Sequence, residues 1–269
     1  MDSVKIFIDS AEIEEIKQGY AAGILDGVTT NPSLIRKAAS SFKSMSMADY
    51  IREILKTAKG TPVSLEVIGR SYEEMVSEGK SLYKKFNAIA RNVMIKIPIN
   101  PSVSRDVRFD GVRAIRELSQ LGIPVNCTLI FTPEQALLAT KAGAKVVSPF
   151  AGRIDDYLRK KAKARFDKAD YYPMGGWEKK KVEDNGIVSG IDLVRKIVGI
   201  FRMHNIKSQV LAASLRNTRQ VREAAMVGAD IATVPWSVIA QLLHHEKTVE
   251  GILGFTADIV PEYKEVIYR

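Results

Sequence analysis

The chain has 269 residues, 46% hydrophobic and 26% charged, an ordinary balance for a globular protein able to bury a large core. Its formal net charge of +9 would attract nucleic acid, acidic membranes and anionic metabolites alike, so charge alone selects none of them. The single Cys127 excludes an intramolecular disulfide and a cysteine-rich zinc site, and it fits a reducing compartment.

The first element begins almost at once: residues 5–9, Lys5-Ile6-Phe7-Ile8-Asp9, read as a strand. No basic segment followed by a long apolar one precedes it, so no secretory signal is expected and the cytoplasm is the expected location. No run of about 18 apolar residues follows, so no membrane span is expected either. Further short runs rich in β-branched residues lie at 27–29, 63–67, 93–97, 125–128, 145–148, 209–213 and 231–234. Amphipathic stretches between them, among them 72–86, 110–121, 133–142, 187–205 and 218–227, read as helices. Eight strands alternating with helices over about 250 residues predict an α/β fold, a parallel (β/α)8 TIM barrel. We expect it to occupy residues 1–269 as one domain. An open doubly wound sheet is the weaker alternative, because no Gly-x-Gly-x-x-Gly or P-loop pattern follows any strand. Gly122, Gly143 and Gly228 each close a helical stretch before a strand, where a left-handed residue is wanted. Pro133 stands at a helix start, where its missing N–H does no harm.

Two regions depart from the repeat. Residues 157–184 are long and basic, with Lys160-Lys161, Lys179-Lys180-Lys181 and a Pro-Met-Gly-Gly-Trp segment at 173–177, and read as an elaborated loop with helical pieces. Residues 248–268 read as an additional C-terminal helix whose apolar stripe, Phe255, Ile259, Tyr263, Val266 and Ile267, needs a partner: its own barrel or another subunit. The basic stretch reads as solvated surface and not as a nucleic-acid platform, since Trp177 and a few tyrosines are too sparse for base stacking.

In barrels of this class the strand C-termini build the active site. Asp9 ends the first strand, and the second runs into Thr29-Thr30-Asn31-Pro32-Ser33. The third carries Glu66, the fourth Lys96, the fifth Asn126 and Thr128. The sixth gives Ser148, Phe150 and then Arg153, and the seventh Ser214 and Arg216. Alternation along a strand points Asn126 and Thr128 inward and Cys127 toward the helices; it likewise pairs Ser64 with Glu66 and Met94 with Lys96. Lys96 is the unusual member, because it ends the apolar run Val93-Met94-Ile95 and a buried amine is costly. Apolar surroundings favour its neutral form, a nucleophile that forms a Schiff base with a carbonyl. Taken singly, Asp9 fits a helix cap, Asn31-Pro32 a turn, and Arg153 and Arg216 a solvated surface. Together, a lysine, two carboxylates and a threonine are what imine chemistry needs in one pocket. No metal or other cofactor is expected, since none of His204, His244 and His245 falls at a strand end.

With these residues in place the chain resembles the transaldolase family, and within it the short branch that includes the fructose-6-phosphate aldolases. The segments Ile8-Asp9-Ser10, Gly27-Val28-Thr29-Thr30-Asn31-Pro32-Ser33, Ser64-Leu65-Glu66-Val67 and Ile95-Lys96-Ile97-Pro98 carry the likeness. So do 125–131, 148–154 and 212–217, in family order along nearly the whole chain. The resemblance implies a transferase that moves a dihydroxyacetone unit from a ketose phosphate to an aldose phosphate through a lysine Schiff base, as in the pentose phosphate pathway. Lys96 would form the imine, Asp9 would take the substrate hydroxyl proton, and Glu66 and Thr128 would hold a proton-relaying water. Asn31, Asn126 and Ser148 would orient substrate hydroxyls, and Ser214, Arg216 and Arg153 would hold the phosphate, a role that suits two guanidiniums and a hydroxyl. The aldolases of the branch resemble this chain but carry glutamine at the place of Glu66 and tyrosine at the place of Phe150; both residues here are of the transaldolase type. A related aldolase, or an enzyme acting on a modified sugar, is the alternative. The small-molecule partners implied are sugar phosphates, and a homo-oligomer, a ring of five or its double, is the implied assembly. Residues 157–184 are longer than expected for the branch.

Overall fold

The computed structural model describes residues 3–39, 45–103, 108–177 and 182–268. Eight parallel strands close a barrel, each paired with the next in chain order and the last with the first. They are β1 (Lys5–Asp9), β2 (Gly27–Thr29), β3 (Val63–Glu66), β4 (Val93–Pro98), β5 (Val125–Ile130), β6 (Val146–Pro149), β7 (Gln209–Ala212) and β8 (Ile231–Val234). The expected (β/α)8 architecture is therefore the observed one.

Helices α1 (Ile13–Ala21), α2 (Pro32–Ala39), α3 (Met47–Thr57), α4 (Tyr72–Ala90), α5 (Asp110–Gln120) and α6 (Pro133–Ala142) surround the first half of the barrel. Helices α7 (Ala151–Lys161), α8 (Gly190–Met203), α9 (Thr218–Met226) and α10 (Trp236–Leu242) surround the second. Local signals set their ends. Ser71 and Glu74 form a reciprocal capping box at the start of α4, and Thr132 caps α6 just ahead of Pro133. Gly122, Gly143 and Gly228 all have positive φ, as their places before strands require. Helix α8 starts at Gly190, three residues later than its periodicity suggests, because Ser189 is extended and its side chain accepts from the Asp192 N–H.

Two apolar layers hold the barrel. Outward strand residues, including Ile8, Val28, Leu65, Ile95, Val125 and Cys127, pack under the helices with Ile54, Leu55, Ile115 and Leu118. Inside, Phe7, Met94, Val146, Leu211, Ala213 and Ile231 form a separate cluster, touched by Phe150. That inner cluster is the floor on which the polar strand ends stand.

The region 157–184 is the elaborated loop expected, with less helix than expected. Only its beginning is helical, as the end of α7; the described residues from 162 to 189 form turns and one antiparallel bridge, Asp184 to Ile187, and no helix. Pro173, Gly175 and Gly176 explain why no helix propagates there. Lys179, Lys180 and Lys181 lie outside the described residues. Arg159 is buried, donates to the Asp170 carbonyl at 2.6 Å, and lies over the Phe166 and Tyr172 rings, so this part of the basic stretch is internal scaffolding.

The additional C-terminal helix is present but divided, into α11 (Glu246–Ala257) and α12 (Pro261–Tyr268). Pro261 is the reason, since it lacks an N–H and disfavours helical geometry in the residue before it. Neither helix buries a residue, and Phe255, Ile259, Tyr263, Val266 and Ile267 are all exposed, so this chain's own barrel does not cover the stripe. Among the described residues no helix is long and apolar enough to cross a membrane.

Candidate active site

At the C-terminal mouth of the barrel lies a cavity of about 120 Å³ lined by Asp9, Asn31, Lys96, Ser148, Phe150, Arg153 and Ser214, with Thr29, Leu211, Ala213 and Thr233. Seven of the eleven expected site residues meet there directly. The other four stand behind them or at the rim.

Parallel register brings the reactive groups together. Glu66 pairs with Lys96, Lys96 with Asn126, and Pro98 with Thr128 on adjacent strands. Lys96 is 5% exposed; its Nζ donates to the Thr30 carbonyl at 3.2 Å and lies 3.2 Å from Glu66 Oε2. Thr128 is fully buried, and its hydroxyl has no partner among the described residues. Asp9 accepts from the Thr29 hydroxyl at 2.8 Å. Burial pushes the Asp9 carboxyl above the ordinary aspartate range, while the Lys96 charge and the Thr29 hydrogen bond oppose that rise.

The inward-facing amide is tightly held. Ser148 Oγ donates to Asn126 Oδ1 at 2.6 Å, and Asn126 Nδ2 donates to Ser64 Oγ at 3.2 Å. Cys127 points the other way, into the helix-side core, where burial pushes its thiol far up. The alternation expected along β5 therefore holds at Asn126, Cys127 and Thr128. Beyond it, the β5–β6 register shifts and Leu129 takes a left-handed φ of 58°.

The opposite end of the pocket is built around the start of α7. Its N-cap, Phe150, supplies no side-chain acceptor, so the N-terminal end of the helix is favourable for an anion. Arg153 lies over the Phe150 ring at 5.1 Å, and Phe150 in turn packs against Phe131 at 5.9 Å between centroids. Ser214 has a φ of 61°, unusual for a residue with a Cβ, and this turns the chain at the end of β7. Arg216 Nη1 binds Asp156 Oδ1 at 2.6 Å, and Arg216 N–H donates to Gln220 Oε1 at 2.8 Å. Gln220 Nε2 donates to Asp155, whose carboxyl burial raises to about 6. Arg216 is thus fixed at the rim by α7 and α9 together.

Gly152 makes this closeness possible. A Cβ there would sit 2.2 Å from the Ser214 carbonyl oxygen and 3.0 Å from Arg216 Nε. Backbone cannot yield as a flexible side chain does, so Gly152→Ala is expected to destabilise the protein by about 1–3 kcal/mol and displace Ser214 and Arg216. Thermal melting together with KM for a phosphorylated substrate checks this; an unchanged melting temperature would contradict it.

Three residues escaped the sequence reading, and a fourth, Thr29, was read at a strand end but given no role. Thr29 and Thr233 line the pocket, and Asp156 and Gln220 place Arg216. Thr29 was within reach, because it closes β2 directly beside Asp9 in the register. Thr233 was too: alternation from Ile231 points it inward. Asp156 and Gln220 lie about 60 and 4 residues from Arg216, and only the first contact is of a kind that sequence spacing cannot reveal.

Comparison with known proteins identifies the family of the chain. A family model described as transaldolase/fructose-6-phosphate aldolase matches residues 6–266. The chain belongs to that family. A "probable transaldolase" of Thermoplasma volcanium is 40% identical over 267 residues, covering 98% of this chain and 100% of the relative. One of Thermoplasma acidophilum is 43% identical over 255 residues, covering 95% of each chain. One of Chlorobium phaeobacteroides is 42% identical over 265 residues, covering 97% of this chain and 99% of its own. A crystal structure described as a lactate oxidase of Pediococcus acidilactici matches with a TM-score of 0.50 at 15% identity, over 86% of this chain and 62% of that one, a likeness of fold alone. This member of the transaldolase/fructose-6-phosphate aldolase family thus has Asp9, Lys96 and Ser148, from the ends of β1, β4 and β6, in one pocket.

Proposed function

We propose that this protein is a transaldolase, acting on fructose 6-phosphate or sedoheptulose 7-phosphate through a Schiff base at Lys96. The observation that carries it is the burial of the Lys96 amine in one pocket with Asp9 and beside Glu66. Lys96 adds to the C2 ketone of fructose 6-phosphate. Glu66, with a water held by the otherwise unpartnered Thr128 hydroxyl, supplies the proton that leaves with the C2 oxygen as water. The resulting iminium accepts the electron pair of the C3–C4 bond as Asp9 takes the C4 hydroxyl proton. Glyceraldehyde 3-phosphate departs. The dihydroxyacetone enamine left on Lys96 attacks the carbonyl carbon of erythrose 4-phosphate, and Asp9 returns its proton to the new hydroxyl. Hydrolysis of the imine then frees sedoheptulose 7-phosphate.

Asn31, Asn126 and Ser148 orient substrate hydroxyls, and the sugar phosphate sits between Ser214, Arg153 and Arg216 at the start of α7. Asn126 and Ser148 are already locked to one another, which fixes the direction in which each can meet a ligand.

Phe150 decides between transfer and simple cleavage. Its ring offers no proton to the enamine, so the intermediate persists until an aldehyde arrives. The test is acceptor dependence. With fructose 6-phosphate alone the enzyme is expected to release about one equivalent of glyceraldehyde 3-phosphate and little free dihydroxyacetone, and erythrose 4-phosphate should start steady production of glyceraldehyde 3-phosphate. Phe150→Tyr is expected to raise acceptor-free release of dihydroxyacetone by at least about tenfold, a modest share of the 10²–10⁴ that a positioned proton donor contributes. Equal wild-type release with and without acceptor would favour the aldolase alternative.

A further inference from the structure

The last strand of the barrel contributes a hydroxyl to the pocket that the mechanism above does not use. Thr233, near the end of β8, is buried and lines the cavity. Its Oγ1 lies 2.6 Å from Thr29 Oγ1, and Thr29 Oγ1 lies 2.8 Å from Asp9 Oδ1. Strand pairing brings the three side by side, since β1 runs between β2 and β8, with Asp9 opposite Thr29 in the register.

Hydrogen-bond capacity fixes the direction of this chain. An ionised aspartate only accepts, so Thr29 spends its single O–H on Asp9. The short contact between Thr29 and Thr233 then has its proton on Thr233. Thr233 donates to Thr29, and Thr29 donates to Asp9. We infer that Thr233 is a positioning residue for Asp9: by donating to Thr29 it holds the Thr29 proton on the carboxylate and keeps Asp9 ionised and oriented as the base for carbon–carbon cleavage.

The surroundings make this contribution count. Asp9 faces Lys96 from β4 and Arg153 from the start of α7, with Glu66 of β3 paired to Lys96. The strands that flank it, β2 and β8, carry no ionisable residue in their spans; their polar offerings to Asp9 are these two hydroxyls. Bonds in series polarise one another, so removing the outer donor weakens the inner one. When Asp9 is protonated the chain can reverse, with Asp9 donating to Thr29 and Thr29 to Thr233. The charge-assisted direction is the stronger, so an intact chain favours the ionised form.

The inference builds on the Schiff-base function proposed above and is tested alongside it. Thr233→Val keeps the β-branched shape and deletes the donor; Thr233→Ala deletes it with less bulk, should the valine variant fold poorly. Thr233→Ser keeps the hydroxyl. The pH dependence of kcat/KM for transfer from fructose 6-phosphate to erythrose 4-phosphate is measured for each. In the valine or alanine variant the acid limb is expected to move up by about half a pH unit to one unit, with kcat reduced and KM little changed. The serine variant should return the limb to its wild-type position. Borohydride trapping of dihydroxyacetone on Lys96 should be equal in all of them, because imine formation does not use Asp9. An acid limb that stays in place in the valine or alanine variant, or that serine does not restore, overturns the role of Thr233 alone. Absence of trapping in the wild-type enzyme overturns the Schiff-base function, and the role of Thr233 with it.

Discussion

Replacing Lys96 with methionine is expected to lower kcat by at least about a thousandfold, equivalent to roughly 4 kcal/mol of lost transition-state stabilisation. Methionine matches the lysine stem in volume and apolar character, so the inner cluster around Met94 should stay packed. What is lost is the only nucleophile placed for imine formation in the described pocket. Borohydride with fructose 6-phosphate should attach a three-carbon unit to residue 96 of the wild-type protein and none to the variant, as peptide mass analysis would reveal. The substitution also leaves Glu66 without the amine 3.2 Å away. Stability should fall by about 1–3 kcal/mol for that reason, somewhat less than for a fully buried pair because Glu66 is partly exposed. Adding Glu66→Gln should recover much of the stability and none of the activity. Turnover that survives Lys96→Met would end the proposal.

Asp9→Asn separates cleavage from imine formation. Deleting the base for the C4 hydroxyl is expected to reduce kcat by about 10²–10⁴-fold. Trapping of free dihydroxyacetone on Lys96 should persist, since that step moves no proton through Asp9. The pH profile of the wild-type enzyme carries a further signature. Burial holds the Asp9 carboxyl above its ordinary value of 3.8, with Lys96 and Thr29 pulling the other way. Only the ionised form accepts a proton, so kcat/KM should fall as pH drops through that raised value, above the usual aspartate range. The sign for stability is opposite. A carboxyl whose folded pKa is raised favours the native state below its unfolded pKa and loses that contribution as pH climbs through the folded pKa. At neutral pH Asp9 therefore works against the fold, and Asp9→Asn should melt no lower than wild type even as turnover collapses. A variant with wild-type turnover, or with lost trapping, would contradict the assigned role.

The same physics explains which parts of the molecule were legible in the sequence. Strand alternation is a local property, so Lys96, Asn126 and Thr128 could be aimed inward, and Cys127 outward, from their spacing alone. Helix ends follow from single residues: glycines at left-handed positions, Ser71 with Glu74, Thr132 before Pro133. The break at Pro261 was equally local, yet the apolar stripe spanning it read as one helix. In the 157–184 region the loop was legible from its Pro-Met-Gly-Gly-Trp segment, but its shape is set by Arg159 among aromatic rings, contacts no local pattern encodes.

By itself the sequence determined the barrel, the identity of the polar residues at its strand ends, and the membership of a lysine among them, because each depends on periodicity and residue chemistry over a few positions. Closure of the sheet decided the rest. Only when β8 met β1 did Thr233 come within reach of Thr29 and Asp9, and only the approach of α7 to the end of β7 placed Asp156 on Arg216. Those contacts join residues as much as 204 positions apart, and hydrogen bonds over such separations depend on angstrom-scale placement that tertiary packing alone supplies.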